Sequence, residues 1–211
     1  MPRSARLLLS KSYYHIMTRG NNKKIIFHNN NDYKYYLNLV EKYKTLHPFN
    51  LYHYCLMPNH THMLVQTKRP HDFSTFMKKL NLSYYHYYNR EYNWTGHFFQ
   101  GRYKSQPVGK DDYFIQCGKY IELNPIRSGL IKSIDQYVFS SFYHYAYGKH
   151  DSLLTDNIFY SALGHSAKKR QKRYRDLIVA ETVHDTYTGF VWGSGSQRYN
   201  ETKKFKYHFS K

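Results

Sequence analysis

Stretches that alternate every two residues and stretches striped every three to four follow one another along this chain. Their order limits the fold more than any other feature. Residues 12–18 alternate as a strand, and Arg19-Gly20-Asn21-Asn22 is turn chemistry. Asn31 or Asp32 can cap a helix to about Leu46, with Tyr36, Leu39, Val40 and Tyr43 as its inner stripe. Residues 50–56 form an aromatic-rich strand, Met57-Pro58-Asn59 interrupts it, and residues 60–67 form the next. After Pro70 a helix capped by His71 or Asp72 runs to about Asn89, striped by Phe73, Phe76, Met77, Leu80 and Tyr84. A further strand lies within 98–107. Asp111 and Asp112 open a last helix, which Pro125 should end because a proline disfavours the α region in the residue before it.

The order is therefore β-α-β-β-α-β-α. Its first six elements match a ferredoxin-like α+β arrangement: an antiparallel sheet with helices on one face, here followed by a tyrosine-bearing helix. The pattern weakens after Gly148. This divides the chain into a domain over residues 1–150 and an appended, basic, helical segment over 151–211, with a loose tail from Gly193-Ser194-Gly195.

Composition narrows the partners. Lys and Arg total 32 against 14 Asp and Glu, a net charge of +18 over 211 residues, and 19% of the residues are aromatic. Positive charge attracts phosphates and aromatic faces stack on unpaired bases, so single-stranded nucleic acid is the partner class this mixture suits. A tyrosine-filled core with a lysine-rich surface would have the same composition. No apolar run approaches the length of a membrane span or a signal peptide, so the expected compartment is the cytoplasm and no membrane partner is expected. Cys55 and Cys117 are too few for a disulfide framework or a cysteine-rich zinc site.

Two places carry chemistry. In His60-Thr61-His62 the imidazoles are two apart on a strand, so they project from one face and can share a divalent ion. Tyr120 and Asn124 are four apart on the last helix and share a face there. Each pair alone also fits a bland reading, two surface histidines or a core tyrosine beside a cap asparagine. Glu122 points off the Tyr120 face and is expected to meet solvent or a basic neighbour. Tyr113, two turns before Tyr120, is the rival phenol.

Taken together, these runs resemble a known family. Leu56-Met57-Pro58-Asn59-His60-Thr61-His62-Met63-Leu64 is similar to the histidine–hydrophobe–histidine signature of the IS200-type, single-tyrosine transposases of single-stranded DNA. Tyr120-Ile121-Glu122-Leu123-Asn124-Pro125-Ile126-Arg127-Ser128-Gly129 resembles the tyrosine helix of their REP-associated branch. Arg19-Gly20-Asn21-Asn22, Ile26-Phe27 and Phe99-Gln100-Gly101-Arg102-Tyr103-Lys104-Ser105 fit in order and spacing, over roughly residues 8–147. Two positions depart from the pattern. Thr61 stands where the family has an apolar residue, and Asn124 stands where the insertion-sequence enzymes carry glutamine, which favours the REP-associated branch.

The resemblance implies cleavage and rejoining of single-stranded or hairpin DNA through a 5′-phosphotyrosine on Tyr120. It implies a metal held by His60, His62 and Asn124, with Mn²⁺ or Mg²⁺ first and Zn²⁺ and Ni²⁺ acceptable to imidazole. Arg19, Arg102 and Lys104 are candidates for phosphate contacts. So are Lys168, Lys169, Arg170 and Arg173 of the dense basic run in the appended segment. The run Tyr84-Tyr85-His86-Tyr87-Tyr88 offers either stacking faces or core packing. The alternative function is a domesticated protein that binds a DNA or RNA hairpin without cutting it. Monomer and homodimer both remain open at this stage, as does whether Tyr120 serves its own subunit or a partner's.

Overall fold

The computed structural model describes residues 8–109, 112–155 and 157–179. Asp111 and the tail from Gly193 lie outside them. Four strands, β1 (Tyr13–Arg19), β2 (Asn50–Met57), β3 (His60–Gln66) and β4 (Lys104–Val108), form one sheet in the order β2-β3-β1-β4. Every neighbouring pair is antiparallel, which is the ferredoxin-like order that β-α-β-β-α-β predicts. Pro58 and Asn59 alone separate β2 from β3, which pair as a hairpin with one register shift, between Leu51 and His53.

One face of the sheet packs on α1 (Asn30–Leu46) and α2 (Pro70–Tyr92). Tyr14, Ile16, Tyr54, Leu56, Met63 and Val65 from the strands meet Tyr36, Leu39 and Val40 of α1 and Phe73, Phe76, Leu80 and Tyr84 of α2. The helix starts fall earlier than the sequence suggests. Asn29 caps α1, its side chain accepting from Asn31 N–H, with Asp32 completing the capping box; Pro70 is itself the first residue of α2. The last strand is likewise shorter at its start. Residues 99–103 form a loop held to β1 by a bridge between Phe99 and Gly20.

The other face carries α3 (Asp112–Arg127), whose Phe114, Cys117 and Ile121 cover Cys55, Leu64 and Val108. Pro125 does not end α3; the helix runs on to Arg127. A proline here removes the N–H that Ile121 C=O would accept, and the Asn124 side-chain amide leans back toward that turn. It donates to Tyr120 O at 2.8 Å and reaches Ile121 O at 3.5 Å.

Beyond α3, the segment 139–141 runs along β2 and covers its outer edge: Leu56 N–H donates to Phe139 O and Ser141 N–H to Tyr54 O, each at 3.0 Å. Three short helices follow, α4 (Phe142–Tyr147), α5 (Ile158–Ala162) and α6 (Ala167–Val179). Tyr174 and Ile178 of α6 share a cluster with Phe142 and Tyr145 of α4 and Leu123 of α3. Among the described residues no helix is long and apolar enough to cross a membrane.

Candidate active site

The register of the sheet brings the site together. Directly paired residues of antiparallel strands share a face. His62 pairs with Met17 and Cys55, His60 pairs with Arg19 and Met57, and Met17 pairs on its other side with Lys104. His60, His62, Arg19 and Lys104 therefore project from the face that α3 covers. His15, two residues from Met17 on β1, projects there too.

The imidazoles of His60 and His62 lie 4.7 Å apart between ring centres, at right angles. His60 Nδ1 is 2.5 Å from Asn59 Oδ1. His62 Nδ1 is 2.8 Å from His15 Nε2, and both of those rings are buried. Tyr120 presents its ring edge-on to this pair, 6.0 Å from His62 and 5.9 Å from His15. The guanidinium of Arg127, two turns further along α3, lies over the tyrosine ring at 4.9 Å. Asn124 is buried one turn beyond Tyr120 on the same helix face. Tyr113 is 64% exposed, well away from this packing.

The electrostatics favour neutral imidazoles and bound anions. Burial, followed by the Arg19 charge, pulls the His62 pKa down to about 3. Burial and then His62 push His60 well below the usual histidine range, with Arg19 and His15 adding to the effect. His15 is lowered well below it as well, by burial and then by His62. Lys104 is lowered by burial and then by Arg19. Two cations beside uncharged rings make a place where phosphate charge is stabilised.

The donors fit a divalent ion. His62 Nε2 is buried and has no hydrogen-bond partner, and a metal would satisfy that nitrogen. A neutral imidazole is also the form that ligates. Among the described residues no three His, Cys, Asp or Glu side chains are grouped to hold an ion by themselves. A metal at His60 and His62 thus needs an amide such as that of Asn124, a water or the substrate to complete its shell.

The other charged candidates stand apart. Arg102 is exposed in the loop before β4. Lys168 and Lys169 are exposed on α6, which packs against α4 and α5. On the same helix Arg170 donates to Gly164 O at 3.0 Å and Arg173 to Leu163 O at 2.9 Å, so both close the C-terminal end of α5. Tyr84, Tyr87 and Tyr88 are buried in the first core, which leaves little of that tyrosine run to stack on bases.

Glu122 meets a basic neighbour, one of the two partners expected for it, but in the interior and not at a solvent-facing surface. It is fully buried and accepts from His53 Nδ1 at 2.9 Å, Ser141 Oγ at 2.5 Å and Tyr174 Oη at 2.7 Å. His53 faces α3 by ordinary alternation with Cys55, and the register shift between Leu51 and His53 adds Tyr52 to that side. Sequence reasoning also missed His15. Its only signal was the strand phase it shares with Met17, since it lacks a second histidine two residues away.

Comparison with known proteins bears on the family and the fold. A family model described as "Transposase IS200 like" matches residues 8–124. No protein of curated function matches the chain. Among solved structures, a REP-associated tyrosine transposase bound to a REP hairpin is similar over 75% of this chain and 93% of its own, with 18% identity and a TM-score of 0.61. A candidate transposase from Deinococcus radiodurans R1 shares 16% identity over 52% of this chain and 88% of its own, with a TM-score of 0.40.

Proposed function

The chain belongs to the IS200-like family of transposases, enzymes that act on DNA, and from that premise we propose that it cuts and rejoins hairpin DNA with Tyr120 as nucleophile. The observation that carries this reading is the edge-on packing of Tyr120 against His62 and His15 of the same chain. A phenol delivered by a helix to a pair of strand histidines is what a tyrosine-based strand transfer needs, and here no second copy has to supply it. Hairpin DNA is proposed because the structurally similar REP-associated transposase is bound to one.

In the proposed reaction Tyr120 Oη attacks the phosphorus of a phosphodiester. A bond forms between the tyrosine oxygen and the 5′ phosphate, the bond to the 3′ oxygen breaks, and that oxygen leaves as a hydroxyl after taking a proton. The phenol proton passes to solvent. Phosphodiester energy is kept in the phosphotyrosine, so rejoining requires only that a 3′ hydroxyl attack the same phosphorus and release Tyr120. The Arg127 guanidinium over the ring helps to hold and orient it. Arg19 and Lys104 hold the scissile phosphate and oppose the charge that builds on its oxygens. A divalent ion, Mn²⁺ or Mg²⁺, held by His60, His62 and the Asn124 amide, would act as a Lewis acid on that phosphate. Arg102 is proposed to touch the flanking backbone. Lys168, Lys169, Arg170 and Arg173 are proposed to track phosphates of the stem; the two arginines have less freedom to do so because carbonyls of α5 engage them.

The test is incubation with labelled single-stranded DNA hairpins and Mn²⁺, followed by denaturing electrophoresis. A covalent protein–DNA band is expected for the wild type. It should be absent for Tyr120→Phe, with hairpin affinity nearly unchanged because only one oxygen is removed. An adduct that survives Tyr120→Phe would move the nucleophile to another tyrosine, Tyr113 first. Tight hairpin binding with no adduct in Mn²⁺, or in Mg²⁺ in its place, would favour a binding protein that no longer cuts.

A further inference from the structure

His15 and His62 face each other nitrogen to nitrogen at 2.8 Å in a buried site. Two neutral imidazoles can share only one proton along that line. Two arrangements satisfy the geometry. In one, His15 Nε2–H donates to His62 Nδ1, and His62 then carries its own proton on Nε2. In the other, His62 Nδ1–H donates to His15 Nε2, and His62 Nε2 keeps a bare lone pair.

These arrangements differ in what they leave unpaired. His62 Nε2 is buried without a partner. The first arrangement strands a buried N–H there, the costlier kind of orphan, because amide and ring donors in protein interiors are almost always paired. The second leaves a bare acceptor there, open to a cation.

We infer that His15 is a positioning residue: by accepting the Nδ1 proton of His62, it fixes the tautomer in which His62 Nε2 can ligate a divalent ion. It does for this ligand what a carboxylate or carbonyl behind a metal-bound histidine does elsewhere, with an imidazole as the acceptor. The same hydrogen bond fixes the ring plane of His62, and His15 also touches the nucleophile, its ring standing 5.9 Å from Tyr120. Nothing in the histidine–threonine–histidine motif specifies this residue. It is set by the pairing of β1 with β3, in which Met17 lies opposite His62 and His15 opposite Leu64.

The inference rests on the metal-site reading proposed above, so its test separates the two. In the metal-free, full-length protein, two-bond ¹H–¹⁵N correlation spectra report which nitrogen of His62 is protonated. The expected result is Nδ1–H in the wild type and in His15→Gln, whose side-chain oxygen can take the place of Nε2 as acceptor. In His15→Leu the proton should redistribute toward Nε2. Mn²⁺ affinity, measured by calorimetry with the metal alone, should fall about 10- to 100-fold in His15→Leu and stay close to wild type in His15→Gln. A wild-type His62 protonated on Nε2, or a His15→Leu variant that binds Mn²⁺ as tightly as wild type, would overturn the inference. Mn²⁺ affinity unmoved by His62→Ala would instead remove the metal site, and the tautomer in the metal-free protein would still decide what His15 does.

Discussion

At the scale of single residues, what could be read from the chain depended on whether a position announces itself by spacing. His60 and His62 did, because two apart on a strand means one face. Tyr120 and Asn124 did, because four apart on a helix means one face. His15 and Gly118 did not, since their reasons for being where they are lie on other elements. A β-carbon built on Gly118 would sit 2.7 Å from His53 Nε2 and 2.8 Å from its Cδ2, closer than such contacts are found. The ring cannot swing aside, because its other nitrogen is bound to buried Glu122. Alanine is worth about 1 kcal/mol over glycine in a helix interior, but forcing a well-packed ring to move costs about 1–3 kcal/mol and strains a buried hydrogen bond as well. Gly118→Ala should therefore lower stability, by roughly 2 kcal/mol in urea unfolding. An unchanged or raised midpoint would show that His53 has room to move.

At the scale of elements, the helical wheel correctly set Glu122 off the Tyr120 face but could not say what covers the far side. The segment beyond Gly148 was expected to be helical but appended, and the short α4 left no periodic signal, so nothing marked the layer that α4 and α6 form over Glu122. The register shift in β2 was equally silent, because strict alternation gives no sign of an inserted residue. His53 of β2, Tyr174 of α6 and the strap at Ser141 meet on this one carboxylate of α3. A buried carboxylate that accepts three hydrogen bonds is tolerated only while its donors stay in place. Glu122→Ala leaves His53 Nδ1, Ser141 Oγ and Tyr174 Oη without their shared acceptor and should cost about 3–5 kcal/mol. Tyr174→Phe removes one charge-assisted bond and should cost about 1.5–3 kcal/mol. In that milder variant, hydrogen exchange should rise in α6 before it rises in the sheet. Uniform acceleration across the molecule would mean that α6 does not open as a separate unit. Because Glu122 is two residues from Tyr120, these ties also steady the helix that carries the proposed nucleophile.

At the scale of the whole molecule, strand order followed from the sequence of periods, but the purpose of the tyrosines did not. Composition allowed both a base-stacking surface and an aromatic core, and burial separates the two roles. Tyr36, Tyr54, Tyr84, Tyr137 and Tyr174 are all buried, so these five serve the core, and the net charge of +18 is left as the feature that suits phosphate. Hairpin binding should accordingly depend on salt: neutralising about five phosphates would make affinity fall with a log–log slope near −4 to −5, and a flat dependence would exclude a phosphate-tracking surface. The buried tyrosines lead to a different expectation. Burial first, and for Tyr54 and Tyr174 the neighbouring carboxylates Asp151 and Glu122 next, raises each of these five phenols above the ordinary tyrosine range. Below the ordinary value of about 10 the folded and unfolded chains bind the same phenolic protons, and this contribution to stability is fully present. Above it the unfolded chain ionises while the folded chain does not, so stability drains away as pH rises toward the folded values. At about pH 11 each phenol withdraws about 1.4 kcal/mol, roughly 7 kcal/mol for the five, which is the size of a whole domain's stability. Lysines lose their charge and exposed tyrosines gain one over the same range, so the net charge passes through zero and turns negative, and it is the tyrosinate signal that identifies the phenols. Circular dichroism and tyrosinate absorbance followed together should show the exposed phenols ionising while the helical signal holds, and then one cooperative step in which the buried phenols ionise only as the helices melt. A tyrosinate signal that completes while the helical signal persists would mean that these side chains reach solvent without unfolding, and that the aromatic core is looser than its burial indicates.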